Sequence, residues 1–281
     1  MKKLLLFISI IVTAFLCACG KAPREDLVVP TNYVSEAQYN KATSWLSTND
    51  ERVAAAMRKA ESGEDVTIAC IGGSITEGVI SEGDKDDSVY LRTCYANFVR
   101  KWWVDRYPDI NVNFVNAGIG GTDSCFGLQR VNEDVLDANP DLVIIEFAVN
   151  DANDFKHKSS YEYLVREVLD YDTHPAVVLL FMGQTNGITA QGDEIIIGNN
   201  YELPMISYIN VINDMISEGE DPKILSGDGV HPSAYGHAIA GELFWKYFNS
   251  VYSDMYEYKN VEKYDLPDAL TSDRMKNADV Q

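Results

Sequence analysis

Residues 70–78 read CIGGSITEG. The apolar run Val66–Ile71 ends in this stretch, two glycines follow it, and Ser74 stands directly after them. A strand that breaks into a glycine turn is how α/β proteins present a reactive or ligand-binding group at the carboxyl edge of a sheet. The segment is not a phosphate loop, because GxxxxGKS/T needs a lysine after its last glycine, and none follows Gly78. Nor is it a GxSxG elbow, since the residue two past Ser74 is Thr76 and the glycine arrives only at position 78. Two readings remain: a plain turn in which Ser74 caps the next helix, and a nucleophile turn of another kind.

Working outward, apolar strands alternate with helical patterns. Strands are expected at Val66–Ile71, Val112–Asn116, Leu142–Phe147, Ala176–Met182 and, briefly, Leu203–Ser207. Helices are expected over Glu36–Ala60, near Tyr90–Asp105 and Phe126–Leu136, over Tyr161–Leu169, and as a closing element over Ala234–Tyr252. In the first of these, Trp45, Val53, Ala56, Met57 and Ala60 share one side. Alternation of this kind implies an α/β fold: a parallel sheet of about five strands covered on both faces, a three-layer α/β/α sandwich. No internal repeat or low-complexity run interrupts it.

The chain opens with MKKLLLFISIIVTAFLCACGK. Two lysines precede an apolar run shorter than the ~20 residues of a membrane span, the pattern of a secretion leader. Leu16, Cys17, Ala18 and Cys19 resemble the bacterial lipoprotein signal, which implies a leader over 1–18, lipid attachment at Cys19 and a cell-surface or periplasm-facing protein held at the membrane. An ordinary cleaved leader with an incidental cysteine is the other reading. Residues 19–40 then form a tether, residues 41–253 the main domain, and residues 254–281 a polar C-terminal stretch, either a tail or the start of a further module.

The formal charge of −20 disfavours nucleic acid and anionic membrane surfaces, which repel such a chain, and suits a neutral substrate. Beyond the leader stand Cys70, Cys94 and Cys125. An odd set without a CxxC or a Cys/His cluster is neither a disulfide framework nor a zinc site, although Cys94 and Cys125 could pair in an oxidising compartment.

Four polar loops fall where strands end or the last helix begins. They are Gly72-Gly73-Ser74, then NAGIGGTDS at 116–124, then EFAVND at 146–151, and finally SGDGVHPSAYGH at 226–237. Each alone has an ordinary explanation as a turn or a helix cap. Together, in this order, they resemble the SGNH, or GDSL-like, hydrolase family, over about Val66 to His237. The resemblance implies a flavodoxin-like strand order and a serine esterase. It places the nucleophile on Ser74, the glycine oxyanion donor on Gly121 with Gly118 as fallback, the asparagine donor on Asn150, and the acid and base on Asp228 and His231. The chain departs from the family pattern in having Gly73 before the serine, where aspartate is common, and Ala148 in a block that often reads Gly-x-Asn-Asp.

The chemistry of these residues is consistent on its own terms. A serine hydroxyl needs a base within hydrogen-bond reach, and His231 is the histidine in a Gly/Asp loop. Asp228 can fix its tautomer, and Pro232 restricts its backbone. Charge developing on an ester oxygen would meet the N–H groups of Ser74 and Gly121 and the amide of Asn150. No metal or other cofactor is required. Asp151 reads as a brace for the loop of Asn150, and His157, His174 and His237 as structural or solvent-facing. The expected substrate is an O-acyl, chiefly O-acetyl, ester of a carbohydrate, by analogy with relatives carrying blocks of the GGSIT type. Lipid or thioester hydrolysis, acyl transfer onto a glycan and non-catalytic carbohydrate binding are the alternatives.

Overall fold

The computed structural model describes residues 31–43, 50–82, 93–259 and 265–271. The leader, Cys19, the first part of the tether and residues 272–281 lie outside the described residues. Five parallel strands, β1 (Val66–Gly72), β2 (Val112–Gly118), β3 (Leu142–Glu146), β4 (Ala176–Phe181) and β5 (Met205–Ser207), form one sheet in the order β2-β1-β3-β4-β5. This is the flavodoxin-like order, and it reverses direction between β1 and β3. Ligands of such sheets bind beyond the carboxyl ends of the strands at that reversal.

Helices α1 (Glu36–Thr43), α2 (Glu51–Glu61), α3 (Ser74–Glu77), α4 (Tyr95–Arg106), α5 (Ser124–Asp134), α6 (Phe155–Leu169), α7 (Gln191–Asn200), α8 (Tyr208–Ser217), α9 (Pro222–Leu225) and α10 (Ala234–Asp254) connect and cover the strands. The strand period of two sorts the core into its layers. Ile68, Cys70, Ile144, Val178 and Leu180 pack with apolar residues of α2, α4, α8 and α10. Ala69, Ile71, Val143, Ile145, Val177 and Leu179 pack with those of α5, α6 and α7. On the first face Trp102 and Trp103 are wholly buried, with ring centroids 5.1 and 5.8 Å from Phe248.

The helical pattern over Glu36–Ala60 resolves into α1 and α2, with residues 44–49, Trp45 among them, outside the described residues. Helices α7, α8 and α9 are additional to the sequence expectation. In α7 the run EIII is as apolar as a strand, and only tertiary packing separates the two. Among the described residues no helix is long and apolar enough to cross a membrane. Cys70, Cys94 and Cys125 are free, so the pairing considered for Cys94 and Cys125 is not made: Cys94 is buried in the core below α4, whereas Cys125 lies half-exposed on α5.

Two buried carboxylates hold the outer segments of the chain. Glu242 on α10 accepts the N–H groups of Asn32, Tyr33 and Val34 at 3.0, 2.7 and 3.3 Å. Glu162 on α6 accepts the N–H groups of Leu270 and Thr271 at 2.7 and 2.8 Å, the Thr271 hydroxyl, and the Tyr201 hydroxyl at 2.7 Å. Residues on both sides of the expected domain boundaries are thus docked onto it, including Asp265–Thr271 of the polar C-terminal stretch. Removing the acceptor with Glu242→Ala leaves three N–H groups without their partner, at a cost of about 2–3 kcal/mol. The expected fall in melting temperature, read by calorimetry, is roughly 4–12 °C for a domain of this size; a shift within error would show that Glu242 does not anchor the segment.

Candidate active site

The two glycines before Ser74 are explained by what surrounds them. A Cβ on Gly72 would stand 2.2 Å from Thr76 Oγ1 and 2.5 Å from the carbonyl of Glu146, and one on Gly73 would stand 2.4 Å from Asn150 Oδ1. A Cβ on Gly118 would meet the backbone N of Glu77 at 2.0 Å. The ends of β1, β2 and β3 and the start of α3 therefore meet closely, Gly118 against the backbone of Glu77, Gly72 against Thr76 and the Glu146 carbonyl, and Gly73 against the Asn150 side chain, and no larger residue fits. Ser74 opens α3, which closes at Gly78 in the left-handed region with φ 112°.

The Gly/Asp loop between α9 and α10 faces this turn. Ser74 Oγ lies 2.9 Å from His231 Nε2, and His231 Nδ1 lies 2.7 Å from Asp228 Oδ2. A carboxylate at Nδ1 accepts a hydrogen bond from the ring N–H there, which leaves the Nε2 lone pair to accept from the serine hydroxyl. Asp228 Oδ1 also accepts the N–H groups of Val230 and His231 at 2.9 and 2.8 Å. Burial acts to raise the Asp228 pKa, but the bonds from the His231 ring and these N–H groups outweigh it and hold the carboxyl at about 2. It is therefore charged throughout the neutral range.

Three connections absent from the sequence reading align the serine turn with the histidine loop. Ser81 donates its N–H to the Pro232 carbonyl at 3.0 Å, while its hydroxyl accepts the N–H of Gly227 at 2.9 Å. His237, wholly buried, accepts the N–H of Tyr95 at Nδ1 and donates Nε2–H to the carbonyl of Val79, at 3.2 and 3.1 Å. Burial lowers its pKa to about 4, so the ring is neutral and fixed as a strut. On the other side, the buried Arg130 guanidinium donates to the carbonyls of Ala117 and Gly72 at 2.7 and 3.1 Å, clamping the ends of β2 and β1. Only the three-dimensional fold brings these partners together, and no local spacing announces them.

Of the expected glycine donors, Gly118 is already engaged, since its N–H donates to Asn116 Oδ1 at 3.0 Å. Gly121 adopts a left-handed φ of 72°, and the neighbouring Gly120 approaches the serine, its would-be Cβ only 3.7 Å from Ser74 Cβ. Asn150 sits in the turn after β3, its N–H bonded to the Phe147 carbonyl at 2.9 Å. Its Oδ1 is buried against Gly73, so the amide is held beside the serine turn. Asp151 Oδ1 accepts the N–H of Ser124 at 2.8 Å, which makes it the brace expected for this loop and ties the loop to the start of α5, just past Gly121.

Beneath the site lies a layer of buried acids. Glu146, the last residue of β3, receives the Thr76 hydroxyl at 2.9 Å, which in turn is 2.8 Å from the Tyr95 hydroxyl. Burial lifts Glu146 to about 7 and Asp151 to about 6, and pushes Glu194 well above the usual carboxylate range. The cysteines show no metal-site spacing along the sequence, and only the fold sets one beside a histidine. Cys125 at the start of α5 and His157 at the start of α6 are distant in sequence, but the fold brings them together with Asp123.

The chain belongs to the GDSL-like lipase/acylhydrolase family, whose profile matches residues 70–239. Its fold is similar to part of a two-domain esterase active on acetylated mannans, at 33% identity and a TM-score of 0.74 over 83% of this chain and 60% of that one. The same esterase crystallised with mannopentaose superposes with a TM-score of 0.71. The chain thus spans about 60% of the length of that two-domain relative. Axe2, an acetylxylan esterase from Geobacillus stearothermophilus, shares the fold at 22% identity, with a TM-score of 0.54 over 65% of this chain and 94% of that one. No curated protein sequence matches the chain.

Glu146 provides a test of the buried layer. Its folded value of about 7 exceeds the ordinary 4.5, so the folded state keeps a proton that the unfolded chain releases between them. The stabilisation is complete below pH 4.5 and is lost as the pH rises through about 7. Glu146→Gln, which cannot ionise, should gain on the parent across that window by up to roughly 3 kcal/mol, measured by urea unfolding at a series of pH values. A stability difference independent of pH would refute the assignment.

Proposed function

We propose that the protein is a serine esterase that removes O-acyl groups, chiefly acetyl, from carbohydrates through an acyl-enzyme. The observation that carries this reading is the hydrogen-bonded chain Ser74–His231–Asp228 set beside Asn150 at the reversal point of the sheet. In the proposed reaction Ser74 Oγ attacks the ester carbonyl while His231 Nε2 takes its proton. The N–H groups of Ser74 and Gly121 and the amide of Asn150 receive the developing oxyanion. His231 then gives that proton to the departing sugar oxygen, which leaves as a hydroxyl as its bond to the acyl carbon breaks. Water, deprotonated by the same imidazole, releases the acid and restores Ser74.

Ser74→Ala should abolish turnover with the fold intact, because it removes one hydroxyl at a turn. Asn150→Ala should lower kcat by ~10²–10³ with a smaller change in KM, the behaviour of a lost oxyanion donor. Steady-state kinetics on p-nitrophenyl acetate decide both, and unchanged turnover in Ser74→Ala would end the mechanism.

The substrate class is supported by the acetylated-mannan esterase among the structural relatives and by the polar turn 151–154 that runs from Asn150 to α6. Phe155, the first residue of α6, adds a half-exposed ring next to this turn. Acetate release from acetylated mannan and xylan should exceed hydrolysis of long-chain esters, and kcat/KM should fall from p-nitrophenyl acetate through butyrate and octanoate to palmitate. A maximum at octanoate or beyond would transfer the assignment to lipid substrates.

The proposed location is the bacterial cell surface or periplasmic side of a membrane, through lipid on Cys19, on the strength of the leader sequence. Cys19→Ser should move the protein from the membrane fraction to the soluble one. Retention in the membrane would assign attachment to an uncleaved leader or a partner.

A further inference from the structure

We propose a second site, a zinc-binding clasp formed by Asp123, Cys125 and His157, separate from the serine centre. One ligand atom from each of the three lies within 4.8 Å of the other two, a carboxylate oxygen, a sulfur and an imidazole nitrogen. Bonds of about 2.0–2.3 Å in a tetrahedral zinc site put ligand atoms roughly 3.3–3.8 Å apart, so modest side-chain rotations complete the set. All three residues are half-buried, which leaves solvent a path to the fourth position.

The ligands are already oriented through their other atoms. Asp123 caps α5, its Oδ1 accepting the N–H of Phe126 at 3.0 Å, which leaves Oδ2 to face His157. His157 Nδ1 lies 2.8 Å from Asp154 Oδ1, and Nε2 lies 3.3 Å from Asp123 Oδ2. With its proton at Nδ1, the ring turns the Nε2 lone pair toward Asp123 Oδ2, and a cation placed between the two atoms would be held by both. A carboxylate behind the histidine is also the usual outer partner of a zinc-bound imidazole. The soft sulfur of Cys125 selects zinc over magnesium or calcium.

Lys156 is the competing cation. Its Nζ stands 3.8 Å from Asp123 Oδ2 and interacts with the Cys125 sulfur. Its side chain is largely exposed. In the binding step Zn²⁺ replaces the proton of the Cys125 thiol, which passes to solvent, and the bound thiolate and Asp123 carboxylate neutralise the ion. The clasp joins the start of α5, two residues past Gly121, to the start of α6, just beyond Asn150 and Asp151. It therefore stiffens the two loops proposed to carry the oxyanion donors without touching Ser74.

The test is metal uptake by the purified full-length chain, independent of whether it is an esterase. After treatment with a chelator and equilibration with Zn²⁺, the parent should retain one more equivalent than Cys125→Ser or His157→Gln. Loaded with Co²⁺, it should show a near-ultraviolet thiolate-to-cobalt band that is absent from Cys125→Ser. Asp154→Asn should weaken binding about 10–100-fold, and Lys156→Ala should tighten it, a gain that misfolding cannot mimic. Equal zinc content and equal cobalt spectra in the parent and Cys125→Ser, or unaltered affinity in Lys156→Ala, would overturn the proposal.

Discussion

The structure depends on a single close approach, the meeting of β1, β2 and β3 at their carboxyl ends around glycines that leave no room for a Cβ. Gly72, Gly73 and Gly118 have Cβ positions already occupied by Thr76, Asn150 and the backbone of Glu77. This packing places Ser74 at the switch point of the sheet and brings the turn after β3 against it. A strand end widened by one methyl group would separate the serine from Asn150. In this chain the amide oxygen of Asn150 lies where a side chain at Gly73 would begin, so position 73 holds glycine.

Around this contact the polar connections run between loops rather than within them. Ser81 and His237 link the serine turn to the elements that carry His231. Arg130 holds the ends of the two strands beside it, and Asp151 ties the asparagine turn to α5. Each connection replaces water at a buried backbone group with a fixed partner, which costs ordering entropy once, at folding, instead of at each encounter with substrate. The buried acids below the site have a different character. Glu146, Asp151 and Glu194 are kept from water with few partners, and burial favours their neutral forms. They make the floor of the site sensitive to alkali, while Asp228 above it stays ionised.

The strands were legible because each is a short apolar run ended by glycine or a polar loop, and the period of two then assigns both faces. All five fall within a few residues of their expected places. Ser74, Asp228 and His231 were legible because Asp-x-x-His in a glycine-rich loop and Gly-Gly-Ser after a strand are local patterns, and the fold joins them by direct hydrogen bonds. What escaped was non-local or ambiguous. Arg130 looks like any surface arginine on α5 until the carbonyls of Gly72 and Ala117 come within reach, and His237 differs from a solvent-facing histidine only in its burial. The apolar run in α7 carries no period that distinguishes helix from strand. Asp123 and His157, 34 residues apart, meet only because α5 and α6 begin at the same edge of the sheet.

Glu242 and Glu162 hold the outer segments mainly through backbone N–H groups, which every residue but proline provides. The body of the protein thus grips the chain on either side of it as polymer, indifferent to most of its side chains. Neighbouring sequence can drift, or be exchanged by recombination, without disturbing the socket, so long as proline stays out of the gripped positions. A pull transmitted along either flank would arrive first at these carboxylates, midway along α10 and α6, rather than at the reacting atoms.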